Sequence, residues 1–346
     1  MSAPDGPPPG MPPGGMPPMP PVPDIPADGP VKVGVFVPSG VPDVDPRVLR
    51  DWARLIDAGP WSSLAVTDRV AYANLDPLMT LAMLAPLTER VTLSTSILLP
   101  GLRDPHTLAK QVASLVRMAP GRVSLGVGVG ARPWDYEATG HVWEERGRKL
   151  DRAMEVLLEL RDRPSEQHVG PRLGDLEILV GGASGPAMRR MVAYGDGYVA
   201  GGIKPEFFAF EAAAALGTWV GAGRPGRPRI VAGSWVARSP DPDDAASRWL
   251  SSFFRTGGPP IMVNAGVWRG ADGVREQIET YAAQGADEVV LFPCVADLAE
   301  LEWLTEVVAA LPEIKVGTPT PRPPTAPPPA VVPGTADVVV GGGRPE

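Results

Sequence analysis

The sequence predicts a closed (β/α)8 TIM barrel flanked by disordered proline-rich tails. Three observations point there. Short apolar runs alternate with helical patterns, and the alternation repeats eight times between Val31 and Leu311. That rhythm implies a parallel sheet. Eight units in about 285 residues suit a closed barrel better than an open doubly wound sheet, the competing arrangement. The 346 residues divide into a tail over 1–30, a barrel over 31–316 and a second tail over 317–346.

The elements follow in order. Val31–Val37 reads as a strand bounded by Pro38-Ser39-Gly40, and Pro46–Ala58 as a helix stopped by Gly59-Pro60. Ser63–Thr67 is the second strand, followed by a helix over Pro77–Leu87 with proline in its first turn. Val91–Leu98 and Val123–Val129 are the third and fourth strands, with helices at Pro105–Met118 and Glu144–Arg161. The later strands are Leu176–Val180, Tyr198–Ala200, Arg229–Ala237 and Glu288–Phe292. Helices are expected at Pro186–Tyr194, Pro205–Leu216, Asp243–Phe254, Val274–Gln284 and Leu298–Leu311.

Composition narrows the function. A net charge of −8 provides no electrostatic footprint for nucleic acid or an anionic membrane. A single cysteine, Cys294, excludes a disulfide framework and a cysteine zinc site, and only three scattered histidines argue against a metal centre. Cys294, after Phe292-Pro293, reads as a buried, inert thiol. No apolar run is long enough to span a bilayer and no basic-then-apolar leader opens the chain, so a cytoplasmic protein is expected. Of 44 prolines, 13 fall in residues 1–30 and nine in 317–346, a composition that buries little and favours extended, mobile chain. The patch Ala336–Gly341 at the end of the second tail reads either as a docking peptide for a protein partner or as a frayed terminus.

In a (β/α)8 barrel the site is built from loops after the strands. Gly181-Gly182-Ala183-Ser184-Gly185 lies between a strand and a helix, where glycines let backbone N–H groups approach a phosphate and the helix N-terminus adds its dipole. Ser184 either donates its hydroxyl or caps the helix. Gly201-Gly202, after the next strand, closes the other side of the same pocket or forms an ordinary turn. The run Gly126-Val127-Gly128-Val129-Gly130 is not a dinucleotide fingerprint, because Ala131-Arg132-Pro133-Trp134 does not open a helix. Small residues such as Gly128 leave room for a flat ring.

The ordered set Thr67-Asp68-Arg69, Asn74–Leu78, Val91–Leu98, Leu102–Pro105, Gly121–Gly130, Asp135–Gly140, Val180–Ser184 and Gly195–Gly202 resembles the luciferase-like monooxygenase family from Val31 to about Leu311. The resemblance implies a flavin- or deazaflavin-dependent oxidoreductase of monooxygenase type, using FMN or coenzyme F420 on a small organic substrate. It also implies a cis or bulged Ser96–Ile97 supporting the ring, and pairing into a homodimer. Deazaflavin-dependent dehydrogenases of the family carry His after the Asp of strand two and Glu after the fourth-strand glycines; here Arg69 and Ala131 stand there. Arginine cannot act as a base. Arg69 then holds an anion or pairs with Asp68. Asp68 and Arg69 are the candidate catalytic residues, and Trp134, His141 and Trp235 the candidate substrate pocket. The competing reading is a catalytically degenerate barrel that binds or assembles through its tails.

Overall fold

In the computed structural model, residues 25, 27, 29–162, 170–202, 205–241, 244–254 and 267–318 are described. Most of both expected tails, with the patch at 336–341, lies outside them.

The helices begin where local chemistry says they should. Asp45-Pro46, Asp76-Pro77 and Asp104-Pro105 open α1 (Pro46–Ala58), α2 (Pro77–Leu84) and α3 (Pro105–Met118). Each aspartate accepts a hydrogen bond from a first-turn amide, and each proline occupies a position whose N–H has no helical partner. The further helices are α4 (Pro133–Ala138), α5 (Arg146–Asp162), α6 (Gly185–Tyr194), α7 (Pro205–Gly221), α8 (Ala245–Phe254), α9 (Gly270–Ala283) and α10 (Leu298–Ala309).

Strands β1 (Lys32–Phe36), β2 (Ser63–Val66), β3 (Thr92–Leu98), β4 (Val123–Val127), β5 (Glu177–Gly181), β6 (Gly197–Gly202), β7 (Arg229–Ala237) and β9 (Glu288–Phe292) form the barrel, every pairing parallel. β1 pairs with β9, Val33 opposite Val289, and closes the ring. The open doubly wound alternative is excluded. A short β8 (Val267–Arg269), absent from the sequence expectation, extends the ladder beside Trp235–Ala237 outside the ring. A second difference is α4. Its six residues do open after the fourth-strand glycines, although the closed barrel still removes the dinucleotide reading.

Alternation along each strand splits the core in two. Leu64, Leu93, Leu125, Val180 and Ile230 face the helices, whereas Phe36, Ala65, Leu179, Val199, Val231 and Val290 fill the barrel. At the N-terminal end the filling is polar. Arg229 bridges Glu177 and Glu288. Ser124 donates to Glu177 at 2.5 Å and Ser63 to Glu288 at 2.7 Å. The two carboxylates push Arg229 upward in pKa against the opposing effect of burial. Gly34 is required here, since a Cβ would overlap Ser63 Oγ.

One buried acid faces the helix layer. Tyr198 on β6 donates to Glu211 on α7 at 2.5 Å, and burial pushes the Glu211 pKa from 4.5 up to about 7. The native state therefore keeps a proton that the unfolded chain has released, and stability falls as pH rises from the free value toward 7. The loss is on the order of 3 kcal/mol. Glu211→Gln should flatten the thermal midpoint between about pH 5 and about pH 8. An equally steep profile in that variant would place the titration elsewhere.

Candidate functional site at the barrel mouth

The C-terminal mouth has an open arc and a covered arc. In the open arc, β4 and β5 present Gly128 and Gly181 toward the barrel interior, by alternation from Gly126 and Leu179, whereas β6 shifts register after Val199 and sets Gly202 opposite Gly233, against the Trp235 ring. The peptide bond Ser96–Ile97 is cis, and the β3–β4 register shifts between Thr95 and Leu98. Ile97 lies against these glycines: a Cβ on Gly128 would overlap its Cδ1, and one on Gly181 would sit 3.3 Å from its Cγ2.

Residues 182–185 are exposed and lead directly into α6. Gly182 has φ +112°, open to glycine and strained for other residues. Ser184 caps α6 by accepting from the Ala187 amide at 3.3 Å, which leaves its own hydroxyl proton free to donate. Gly201 is exposed, and a Cβ there would meet nothing within 4 Å. The two turns stand on neighbouring strands, with Gly181 paired to Val199. Arg189, which sequence reasoning missed, folds back to Gly185, its Nη1 3.6 Å from where a Cβ would be. Its spacing of four along a helix is the signal that could have found it. The cradle thus offers free amides, a helix N-terminus and a cation, and it fits a phosphate-bearing ring cofactor.

The covered arc is aromatic. Phe36 stacks on Phe292 at 4.2 Å, Phe292 meets Trp249 at 5.0 Å, and Trp249 stacks on Phe253 at 4.7 Å. Trp249 and Phe253, four apart on α8, bring that helix onto the mouth, and Trp249 Nε1 donates to the Gly40 carbonyl at 2.9 Å. Trp235 stands between the arcs: its ring lies over Gly202 and meets Phe254 edge-on at 5.3 Å. Ion pairs complete the rim. Asp68 is held by Arg103 at 2.6 and 3.1 Å and by the Leu99 amide. Burial pushes the Asp68 pKa upward against the pull of Arg103. Arg103 also reaches the α2 cap, Asp76, at 2.9 Å. Arg69 donates to Asp135 at 2.8 Å and to the Phe253 carbonyl at 2.7 Å.

Of the two readings of Arg69, the pairing with Asp68 is corrected. The two residues take different partners, Arg103 and Asp135, because successive residues leaving a strand point to opposite sides. Trp134 is half-buried in the first turn of α4. His141 lies past α4, its amide bonded to the Tyr136 carbonyl, outside the contacts that tie the mouth together. Cys294 is buried, and burial pushes its thiol pKa far up. Among the described residues, no group of three or more His, Cys, Asp or Glu is placed to hold a metal ion, and no helix is long and apolar enough to cross a membrane. A depression of about 680 Å³ at the other end of the barrel is bordered by Arg161 and Asp196, which pair at 3.8 Å, and lies away from the glycine turns.

The model of the luciferase-like monooxygenase family matches residues 31–293. Among curated relatives, uncharacterized proteins of Mycobacterium bovis and Mycobacterium tuberculosis are 27% identical over 188 residues, 44% of this chain and 65% of theirs. The match thus spans less than two thirds of those relatives. An F420-dependent secondary alcohol dehydrogenase, solved with an F420-acetone adduct, superposes with TM-score 0.67 at 18% identity, covering 82% of this chain and 99% of that one. The oxygenating constituent of 3,6-diketocamphane monooxygenase of Pseudomonas putida, solved with FMN, gives 0.62 at 18% identity over 83% and 100%. At such identities the likeness shows the fold.

Proposed function

The chain belongs to the luciferase-like monooxygenase family, and from that premise we propose that it is an FMN- or F420-dependent oxidoreductase, of monooxygenase type, acting on a small organic substrate. The carrying observation is the pair of inward glycines at the ends of β4 and β5, beside an exposed turn that opens α6 and the exposed Gly201 at the end of β6. The amides of 182–185, the α6 N-terminus and Arg189 would hold the phosphate. Gly201 leaves its far side open, Trp235 lies over Gly202, and Ile97 with Gly128 would support one face of the ring. Bound and reduced, such a cofactor supplies the electrons for oxygen insertion or for hydride delivery.

The chain's own contribution is to bind, orient and exclude water. The aromatic stack around Trp249 covers the mouth, while Trp235 separates it from the cradle. Asp68 and Asp135 are each committed to an arginine, and Arg69 cannot accept a proton. Alcohol oxidation by hydride loss needs a base, so these commitments favour oxygen insertion. The same filled mouth favours, as a second reading, a degenerate binding or assembly barrel. Titration with reduced FMN and reduced F420 separates the two. The proposal expects micromolar affinity for one of them; no saturation by either up to about 1 mM, a binding energy near 4 kcal/mol, would leave the degenerate reading.

A further inference from the structure

We propose that Arg69 is a positioning residue that latches α8 as the roof of the mouth; as a roof over a cofactor it rests on the flavin reading. Arg69 leaves the end of β2 with its side chain 1% exposed, and its guanidinium joins two other rim segments. Nε meets Asp135 of α4, and Nη1 meets the Phe253 carbonyl in the last turn of α8. A guanidinium N–H donating to a backbone carbonyl is a charge-assisted hydrogen bond, stronger than a neutral one.

The latch is held rigidly. Asp135 accepts from Arg69, from the Val70 amide at 3.0 Å and from the Ala71 amide at 2.7 Å. Tyr72 and Phe253 place their rings 5.3 and 5.1 Å from the guanidinium carbon. Elsewhere α8 is tied by Trp249 to Gly40, and just before its start by Arg269 to Asp244 at 2.7 Å. Near residues 252–254 Arg69 adds its hydrogen bond to the Tyr72–Ser252 hydroxyl contact at 3.3 Å and to Arg132 lying over the Phe253 and Phe254 rings. Proton transfer is not its role, because a guanidinium stays charged.

Hydrogen exchange on the cofactor-free chain tests the latch. Arg69→Met should make the amides of 245–254 exchange roughly tenfold to a hundredfold faster, with β2 and β4 unchanged. Arg69→Lys, which keeps the charge beside Asp135, should fall between the variant and the unaltered chain. Unchanged exchange at 245–254, or acceleration spread evenly over the barrel, overturns the proposal. Should Arg69→Met fail to fold, Arg69→Lys must itself show acceleration confined to 245–254, or the proposal fails. Iodide quenching of bound oxidised FMN tests the roof: Arg69→Met should raise the quenching constant severalfold, and an unchanged constant refutes it. If the unaltered chain binds neither FMN nor F420, the flavin reading fails and the roof with it, while the exchange pattern still decides the latch.

Discussion

Replacing Gly201 by valine should weaken cofactor binding at least a hundredfold, about 2.7 kcal/mol, while leaving the barrel folded. A Cβ at this exposed position meets nothing within 4 Å, and its φ lies outside the left-handed region. Valine also suits a strand, so the expected change in stability stays below about 1 kcal/mol. The new methyls would project into the space that the phosphate of FMN or F420 needs between the two glycine turns. Gly182→Val is the less discriminating change. It should abolish binding too, but at φ +112° a β-branched residue is strained and would lower stability at the same time. Titration of Gly201→Val with both reduced cofactors, beside a thermal melt, reads the two effects separately. Full affinity in a well-folded Gly201→Val would remove the phosphate from this cradle.

What could be read in advance was local. Barrel strands are buried on both faces and so appear as continuous apolar runs, as in Leu64–Val66 or Val289–Phe292. Helix starts were written in the repeated Asp-Pro pairs, and the exposed turn before α6 in glycines next to a helix start. What stayed hidden was long-range. Arg69 meets Asp135 across 66 positions and Phe253 across 184, and nothing near Arg69 in sequence announces either. Proximity in sequence suggested Asp68 instead, the neighbour that extended backbone directs away. β8 escaped because three half-buried residues carry no usable period. The aromatic stack joins β1, β9 and α8, so no single stretch of the sequence shows its rings as neighbours.

Arg229→Met should cost about 3–5 kcal/mol, because it strands Glu288 without its cation in the barrel floor. The Glu288 side chain is 3% exposed and would keep only the hydroxyls of Ser62 and Ser63. In a barrel of this size that corresponds to a fall in thermal midpoint of roughly ten degrees. Glu288→Gln introduced with Arg229→Met removes the stranded charge yet keeps an acceptor for Ser63, so it should restore part of the loss. The double-mutant cycle should then show coupling of about 1–3 kcal/mol. Additive effects would mean that the arginine acts on the floor independently of Glu288. The location matters as much as the size. Arg229 begins β7 at the N-terminal end, whereas Trp235, six residues on, reaches the mouth. A (β/α)8 barrel assigns stability to the first face and chemistry to the second. The floor variants should therefore melt early yet retain the cofactor affinity of the unaltered chain below their melting range, the reverse of Gly201→Val. If the floor variants lost affinity in proportion to stability, the two ends of the barrel would be coupled and the separation of roles drawn from the glycine cradle would fail.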